Sequence, residues 1–491
     1  MAGPAKPCKK SWPGREGSAR RCLTFYPVWN KVAPFQTVDP PGFPADTHHF
    51  VRWASRGAVR RNHGSTRVKI QALKGFKDIL PAESGVWQRI EQTARDVFHR
   101  FGFAEIRVPI LEKTDLFVRS IGEATDIVEK EMYTFIDRNG VSLSLRPEGT
   151  APVLRAFIEH SLHTLQPVQR LYTIGPMFRH ERPQKGRLRQ FHQLSVEVLG
   201  ADHPRLDAEV MAMAWMLLTE LGLTVRLEIN SLGCPACRPD FKAALENFLA
   251  DRAGSLCEDC ERRRLTNPLR VLDCKSSHCR AQYQTAPAIT DYLCPGCADH
   301  FAAVEQGLDL LGIPATRNKF MVRGLDYYTR TTFELVTDQL GAQSAVGAGG
   351  RYDGLVAQLD GPKLPGIGFG MGMERLALLL TEQVGASAPA GADLYIAALG
   401  PAALERGFQM AHVLRGQGVR VSMEHDGKSL KSQMKQAGRL AARYALILGD
   451  EELASGQAVL RNMGAGTQDS LALGDNLHDW AAGLVARIAE S

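Results

Sequence analysis

Two stretches hold residues whose types and spacing can do chemistry. The first is a run of thiols. Eight of the ten cysteines lie between residues 234 and 297, as Cys234-x2-Cys237, Cys257-x2-Cys260, Cys274-x4-Cys279 and Cys294-x2-Cys297. A C-x2-C pair can give two thiolates to one tetrahedral ion at about 2.3 Å. With no secretory signal ahead of them, metal is favoured over disulfides. Eight thiols suffice for two Zn²⁺ ions. Spacing leaves open which pairs combine, and Asp259, Asp273 and His278 stand nearby as other ligands. The alternative is a set of reduced structural cysteines. The segment is expected to hold few large apolar residues, so that metal supplies much of its folding free energy.

The second stretch is Arg170 to Gly200, RLYTIGPMFRHERPQKGRLRQFHQLSVEVLG. It reads as strand, loop, strand. Leu194, Val196 and Val198 alternate on the return leg. The loop carries Arg179, His180, Arg182, Lys185, Arg187 and Arg189 against one acid, Glu181. Each unpaired cation would cost several kcal/mol if buried without a partner. Such a loop faces water or binds anions.

Other elements must hold these groups in place. Pro81 suits a first helical turn, and Val86, Ile90, Ala94, Val97, Phe98 and Phe101 follow as one apolar stripe closed by Gly102. Residues 105–110, EIRVPI, read as a strand whose proline places it at an edge or interface. Residues 142–151, SLSLRPEGTA, read as a strand, a turn and a helix start, where Glu148 or Thr150 can be a simple N-cap. Residues 320–335, FMVRGLDYYTRTTFEL, read as a turn into a strand. GAGGRYDG at 347–354 reads as a glycine-rich loop; Tyr352 stands where a dinucleotide fingerprint needs its third glycine. GIGFGMGMER at 366–375 alternates glycine along a strand, as if something flat lay over it, and then enters a helix. Arg375 in that first turn opposes the helix dipole, a conflict an anion would relieve.

The charge is unevenly spread. The chain of 491 residues carries +6, but residues 1–67 alone carry +9, leaving −3 for the rest. Nucleic-acid contact therefore needs local patches. The first 67 residues have too few aliphatic side chains to bury a core. They read as a disordered extension, a transit peptide disfavoured by its prolines, or a spurious start. No apolar run approaches the ~18 residues of a membrane span. Residues 385–391, GASAPAG, read as a linker. Beyond it, Leu394–Ala398, Arg420–Met423 and Ala445–Leu448 read as strands between helices, an α/β domain. Lys428, Lys431, Lys435, Arg439 and Arg443 form a basic helix face, solvated or turned to phosphates. Gly427-Lys428-Ser429 is no phosphate loop, because Ser422 stands where that motif needs glycine.

In this order the stretches resemble the signature blocks of class II aminoacyl-tRNA synthetases, in their histidyl form. Arg179-His180-Glu181 with Arg189-Gln190-Phe191 resembles the second class II motif, and Gly366 to Arg375 the third. RGLDYY and GAGGRYDG resemble the two histidine-specific signatures. The helix and proline-bearing strand of 81–110 resemble the first motif, which forms a homodimer interface. The resemblance covers residues 68–491. It implies an α+β fold: a catalytic domain over 68–390 built on an antiparallel sheet with flanking helices, a Cys-rich insertion at about 234–312, and an anticodon-binding domain over 391–491. It implies ATP, Mg²⁺, histidine and tRNA(His) as partners and a cytoplasmic enzyme.

By the same resemblance, Arg179 and Arg323 flank the ATP α-phosphate. Glu181 meets the adenine edge, and Phe191 and Arg375 sandwich the ring. Glu148, Gly149, Thr150, Gln193, Glu197, Arg323, Tyr327 and Tyr328 hold histidine, with Glu197 accepting from its imidazole. Arg182 and Gln184 read the acceptor end of the tRNA. Synthetase-like regulatory subunits are the rival reading. They typically lose catalytic arginines or the C-terminal domain, both kept here.

Overall fold

The protein is described from a computed structural model covering residues 70–123, 125–340, 345–384 and 391–489. Residues 1–67 and most of the 385–391 linker lie outside them.

Alternation builds the central sheet. Its strands lie in the spatial order Ala104–Glu105, Gln169–Phe178, Gln190–Leu199, Gly366–Gly372, Ala345–Arg351, Thr329–Val336, Arg226–Ser231 and Ala315–Arg317. The inner six are antiparallel, and each edge strand joins in parallel. Because side chains alternate across a strand, each strand has two faces. Leu194, Val196 and Val198, with Ile367, Phe369 and Met371, enter one core. Helices Pro81–Arg100, Pro204–Glu220, Pro295–Leu310 and Met373–Val384 add Ile90, Val97, Phe98, Met211, Leu217, Phe301, Val304 and Leu376 to it. Truncating a fully buried ring such as Phe98 should cost about 3–5 kcal/mol. Gln193, Ser195 and Glu197, and Gly366, Gly368 and Gly370, fall on the opposite face.

A buried ion pair ties helix to sheet. Arg351 meets Asp207 at 2.7 Å with both side chains fully buried, and the Thr331 hydroxyl donates to Asp207 at 2.6 Å. Removing either partner would strand a buried charge.

Two local expectations fail. The strand of residues 105–110 stops at Glu105. Pro109 has no N–H for a ladder, and the carbonyls of Val108 and Pro109 accept from the buried Arg146 at 3.0 and 3.4 Å. The glycines at 347–350 form strand, not loop. A Cβ at Gly349 would lie 2.7 Å from the Phe333 ring, so close packing across strands demands glycine there.

Helices Arg238–Ala250, Glu258–Thr266 and Ser277–Tyr283 form the insertion. It has a core of its own: Phe241, Leu245, Leu249, Val271, Leu272, Tyr283 and Ile289. The expectation of few large apolar residues was therefore wrong.

The C-terminal sheet has the order Val421–Met423, Leu394–Ala398, Tyr444–Leu448, Gln457–Asn462, Gln468–Ala472. The first three strands are parallel and the last two antiparallel. The final hairpin was not foreseen. Its helix Leu430–Arg439 exposes Lys431, Lys435 and Arg439. Lys428 precedes that helix and is held by Glu424 at 2.8 Å, and Arg443 follows it, so the basic face is shorter than expected.

Candidate active site

The bare face of the sheet carries the motif residues. Gly368 and Gly370 leave it bare. A Cβ at Gly368 would collide with the Glu197 carboxylate, and one at Gly370 with the Gln193 amide. What lies flat over the glycines is thus, in part, the protein's own side chains from the neighbouring strand.

Glu197 is fully buried. The Thr150 hydroxyl donates to one oxygen at 2.7 Å, and the Tyr352 hydroxyl donates to the other. Burial pushes its carboxyl up to about 8 despite both bonds. Glu148 accepts from the backbone N–H of Thr150 and Ala151, each at 2.7 Å; the N-cap of the helix Thr150–Glu159 is Gly149, and Glu148 satisfies its first N–H groups from one residue earlier. Burial still holds its carboxyl above the usual range. Gly149 lies so close to Ser195 that a Cβ there would sit 2.5 Å from the hydroxyl. The Tyr327 and Tyr328 rings lie tilted at 41° with centres 4.7 Å apart, and Tyr352 meets Tyr327 edge-on at 5.7 Å. Arg323 pairs with Glu334 at 2.6 Å, its guanidinium 5.3 Å from the centre of the Tyr328 ring. Gln193 Oε1, Ser195 Oγ and Arg323 Nε are buried without a hydrogen-bond partner. Native proteins rarely leave such atoms orphaned, and a polar ligand would satisfy them.

Arg179, Glu181, Arg187, Phe191, Gln193 and Arg375 line an adjoining cavity of about 160 Å³. The Arg179 guanidinium lies 5.4 Å from the Phe191 ring centre, and its Nε donates to the Pro147 carbonyl at 2.8 Å. Glu181 is buried and meets Arg187 at 2.5 Å. Arg375 does sit in the first turn of the helix Met373–Val384. Burial, and next the charge of Arg187, lowers its affinity for its own proton. Excess positive charge held at a helix start is the setting an anion would stabilise. Arg182 and Gln184 sit on the exposed loop above, where Gln184 and Arg187 exchange backbone bonds of 3.0 Å.

Sequence reasoning missed several partners. Tyr352 lay inside a noted motif, but nothing local aimed its hydroxyl at Glu197. Glu334 and Arg187 also went unassigned, as did Glu131, whose carboxyl is raised by burial and then by Glu181.

The cysteines fall into two sets of four, Cys234/Cys237/Cys294/Cys297 and Cys257/Cys260/Cys274/Cys279, with the sulfurs of each set within 4.8 Å of one another. None of the eight is in a disulfide. Four sulfurs around an ion at about 2.3 Å stand about 3.8 Å apart by tetrahedral geometry. The Cys234–Cys237, Cys234–Cys294 and Cys257–Cys274 separations are 3.6, 4.0 and 3.9 Å. The residues fit a tetrahedral metal. Asp259, Asp273 and His278 belong to neither set.

An antiparallel sheet with phosphate-type arginines on its open face, followed by a separate α/β domain, has the build of a class II aminoacyl-tRNA synthetase. A family model described as histidyl-tRNA synthetase matches residues 75–236 and 271–376, and one described as anticodon binding domain matches 393–479. The chain is 58% identical over 411 residues to a histidine–tRNA ligase of Desulfotalea psychrophila, covering 84% of this chain and 95% of that one. It is 58% identical over 405 residues to the enzyme of that name from Geobacter metallireducens, covering 82% and 97%. The structure of apo histidyl-tRNA synthetase from S. aureus superposes with a TM-score of 0.69 at 36% identity, covering 86% of this chain and 99% of that one. The chain belongs to the histidyl-tRNA synthetase family.

Proposed function

We infer that this protein joins histidine to tRNA(His) in two steps. Histidine and ATP form histidyl-adenylate and diphosphate; the terminal ribose of the tRNA then takes the histidyl group and AMP leaves. The orphaned Gln193 and Ser195 atoms on the strand of buried Glu197, with the orphaned Arg323 Nε near Tyr328, carry this reading, because they ask for a small polar ligand next to the arginine-lined cavity.

Glu148 and Thr150 receive the histidine ammonium, and Tyr327, Tyr328 and Gly149 shape its slot. Glu197 takes the imidazole N–H, with Gln193 beside it. A buried acceptor of this kind rejects isosteres that cannot donate. Arg179 and Arg323 steady the α-phosphate as the carboxylate attacks; planar guanidinium groups suit that task. Phe191 and Arg375 hold the adenine, with Glu181 at its edge. Catalysis is positioning plus charge neutralisation, without a covalent enzyme intermediate. Mg²⁺ arrives with the nucleotide as substrate, and the Glu131 and Glu181 carboxylates fit the charge it brings. Pyrophosphate exchange with each amino acid in turn is the test. Exchange with histidine alone supports the reading; exchange with none supports a regulatory relative.

Arg182 and Gln184 read the tRNA acceptor end, and Lys431, Lys435 and Arg439 meet the phosphates of its anticodon arm. Among the described residues no helix is long and apolar enough to cross a membrane. Reduced thiols fit the cytoplasm. A homodimer fits an exposed apolar face: Ile110, Leu111, Phe135, Ile136 and Val141, on and beside the small sheet of Leu111–Lys113, Ser142–Leu145 and Thr134–Ile136. Ile136→Asp should shift the sedimentation of the protein towards monomer. The two cysteine sets bind one Zn²⁺ each.

A further inference from the structure

We propose that the two cysteine centres do different work: Cys234/Cys237/Cys294/Cys297 is a clasp that sets the histidine pocket through Arg238, and Cys257/Cys260/Cys274/Cys279 only holds the outer lobe. The proposal rests on the zinc reading above. Its ground is where each centre sits in the fold.

The clasp lies at the base of the insertion. Cys234 comes three residues after the sheet strand Arg226–Ser231, and Cys294 immediately precedes the helix Pro295–Leu310, which is anchored in the main core through Phe301, Val304 and Leu308. The Cys294 N–H donates to Cys237 Sγ at 3.2 Å, so the outgoing and returning chains already meet there. A cross-link at this point closes the whole excursion. The backbone beside it is also tied to the histidine loop. Leu232 N–H donates to the Arg330 carbonyl at 2.7 Å, and Arg330 N–H donates back to Gly233 at 2.8 Å.

Arg238 follows Cys237 directly and opens the helix Arg238–Ala250. Its Nη2 donates to the backbone carbonyl of Tyr328, and its Nε to Leu232 at 3.4 Å. Arg238, Arg270, Arg323, Asp326 and Tyr328 line one cavity of about 280 Å³ between the insertion and the histidine loop. One side chain thus runs from the metal knuckle to the loop that carries both pocket tyrosines. The outer centre is tied to that loop only at one remove: Arg270, four residues before Cys274, donates to the Arg323 carbonyl at 3.2 Å, and no thiol of this set adjoins it in sequence. Its cysteines belong to the insertion's own core with Leu256, Val271 and Tyr283. Tyr283 donates to the Cys274 carbonyl at 3.0 Å, and the Cys257 N–H donates to Cys279 Sγ at 3.2 Å, both within the lobe. Arg238 is therefore a positioning residue.

The test uses full-length, untagged protein, with zinc measured by elemental analysis and histidine KM and kcat by pyrophosphate exchange. Wild type should hold two zincs per chain. Cys274→Ser should lose one and keep its histidine KM within about twofold, whereas Cys294→Ser should lose one and raise that KM about tenfold or more. Arg238→Ala should keep both zincs yet raise histidine KM about tenfold with kcat changed less, and Arg238→Lys should recover part of it. If Cys294→Ser does not fold, the Arg238 pair decides. Two zincs with an unmoved histidine KM in Arg238→Ala overturn the clasp and leave the zinc reading standing. Zinc below one per chain in wild type overturns the zinc reading, and the clasp with it.

Discussion

The two ends of the site solve opposite problems. At the end proposed for histidine, Glu148, Glu197, Tyr327 and Tyr328 are all buried, and both carboxyls are raised by that burial. At the end proposed for the nucleotide, Arg179, Arg187, Phe191 and Arg375 remain half-buried, and three arginines gather with Glu181 and Glu374 around one cavity. The difference teaches where selectivity and where rate enhancement reside. Buried polar groups discriminate, because a ligand that fails to pair with them leaves them unsatisfied. On the proposed reading, the half-exposed arginines would neutralise charge that the reaction develops.

Arg323 stands at the join of the two ends and should show the largest effect. Arg323→Ala is expected to slow adenylate formation by about 10²–10³-fold with the fold intact, as for loss of a charge-stabilising donor. Single-turnover activation within a few-fold of wild type would place Arg323 outside the chemistry.

Glu197→Gln sharpens the contrast at the buried end. Histidine affinity should fall by about 1–3 kcal/mol, the cost of leaving a buried polar group unsatisfied, as measured by equilibrium dialysis. Stability should move the other way. Folded Glu197 titrates at about 8 against an ordinary 4.5. Its contribution is complete below the unfolded value and is lost as pH rises through the folded one. The Gln variant without ligand should therefore melt higher than wild type near pH 8 and equally near pH 4. Parallel melting curves across that range would show that Glu197 is ionised in the free protein.

Phe191→Ala probes the open end. It should raise the KM for ATP by about 1–3 kcal/mol of lost stacking and leave histidine affinity alone. A change confined to histidine would put Phe191 in the wrong half. The smallest effect on activation belongs to Arg182→Ala with Gln184→Ala. Pyrophosphate exchange should persist while transfer to tRNA falls. Equal loss of both steps would move this loop into the ATP site.

Legibility in the sequence followed the range of the interaction. The apolar stripe of Pro81–Arg100 and the alternation at Leu194, Val196 and Val198 were plain, since both are local periodicities. The strings at 142–151 and 320–335 were legible as a turn beside an element, because a turn is a local pattern. Glycines misled at 347–350: a loop and a tightly packed strand ask for the same missing Cβ. The cysteine spacing announced thiol pairs and stayed silent on their combination, which depends on where residues 257 and 274 meet in space. Tyr352 on Glu197, and Arg351 on Asp207, join residues more than a hundred positions apart. No local pattern encodes such pairs.

The edge strand Ala315–Arg317 lies parallel to Arg226–Ser231, its partner on the other side of the insertion. A parallel pair needs a crossover of only about a dozen residues, usually one helix. The helix Pro295–Leu310 already provides it. Nearly everything between residues 238 and 293 is therefore topologically surplus. That excess can lengthen, shrink or exchange without altering the order of a single strand, so the lobe can be remodelled while the sheet beneath keeps its register.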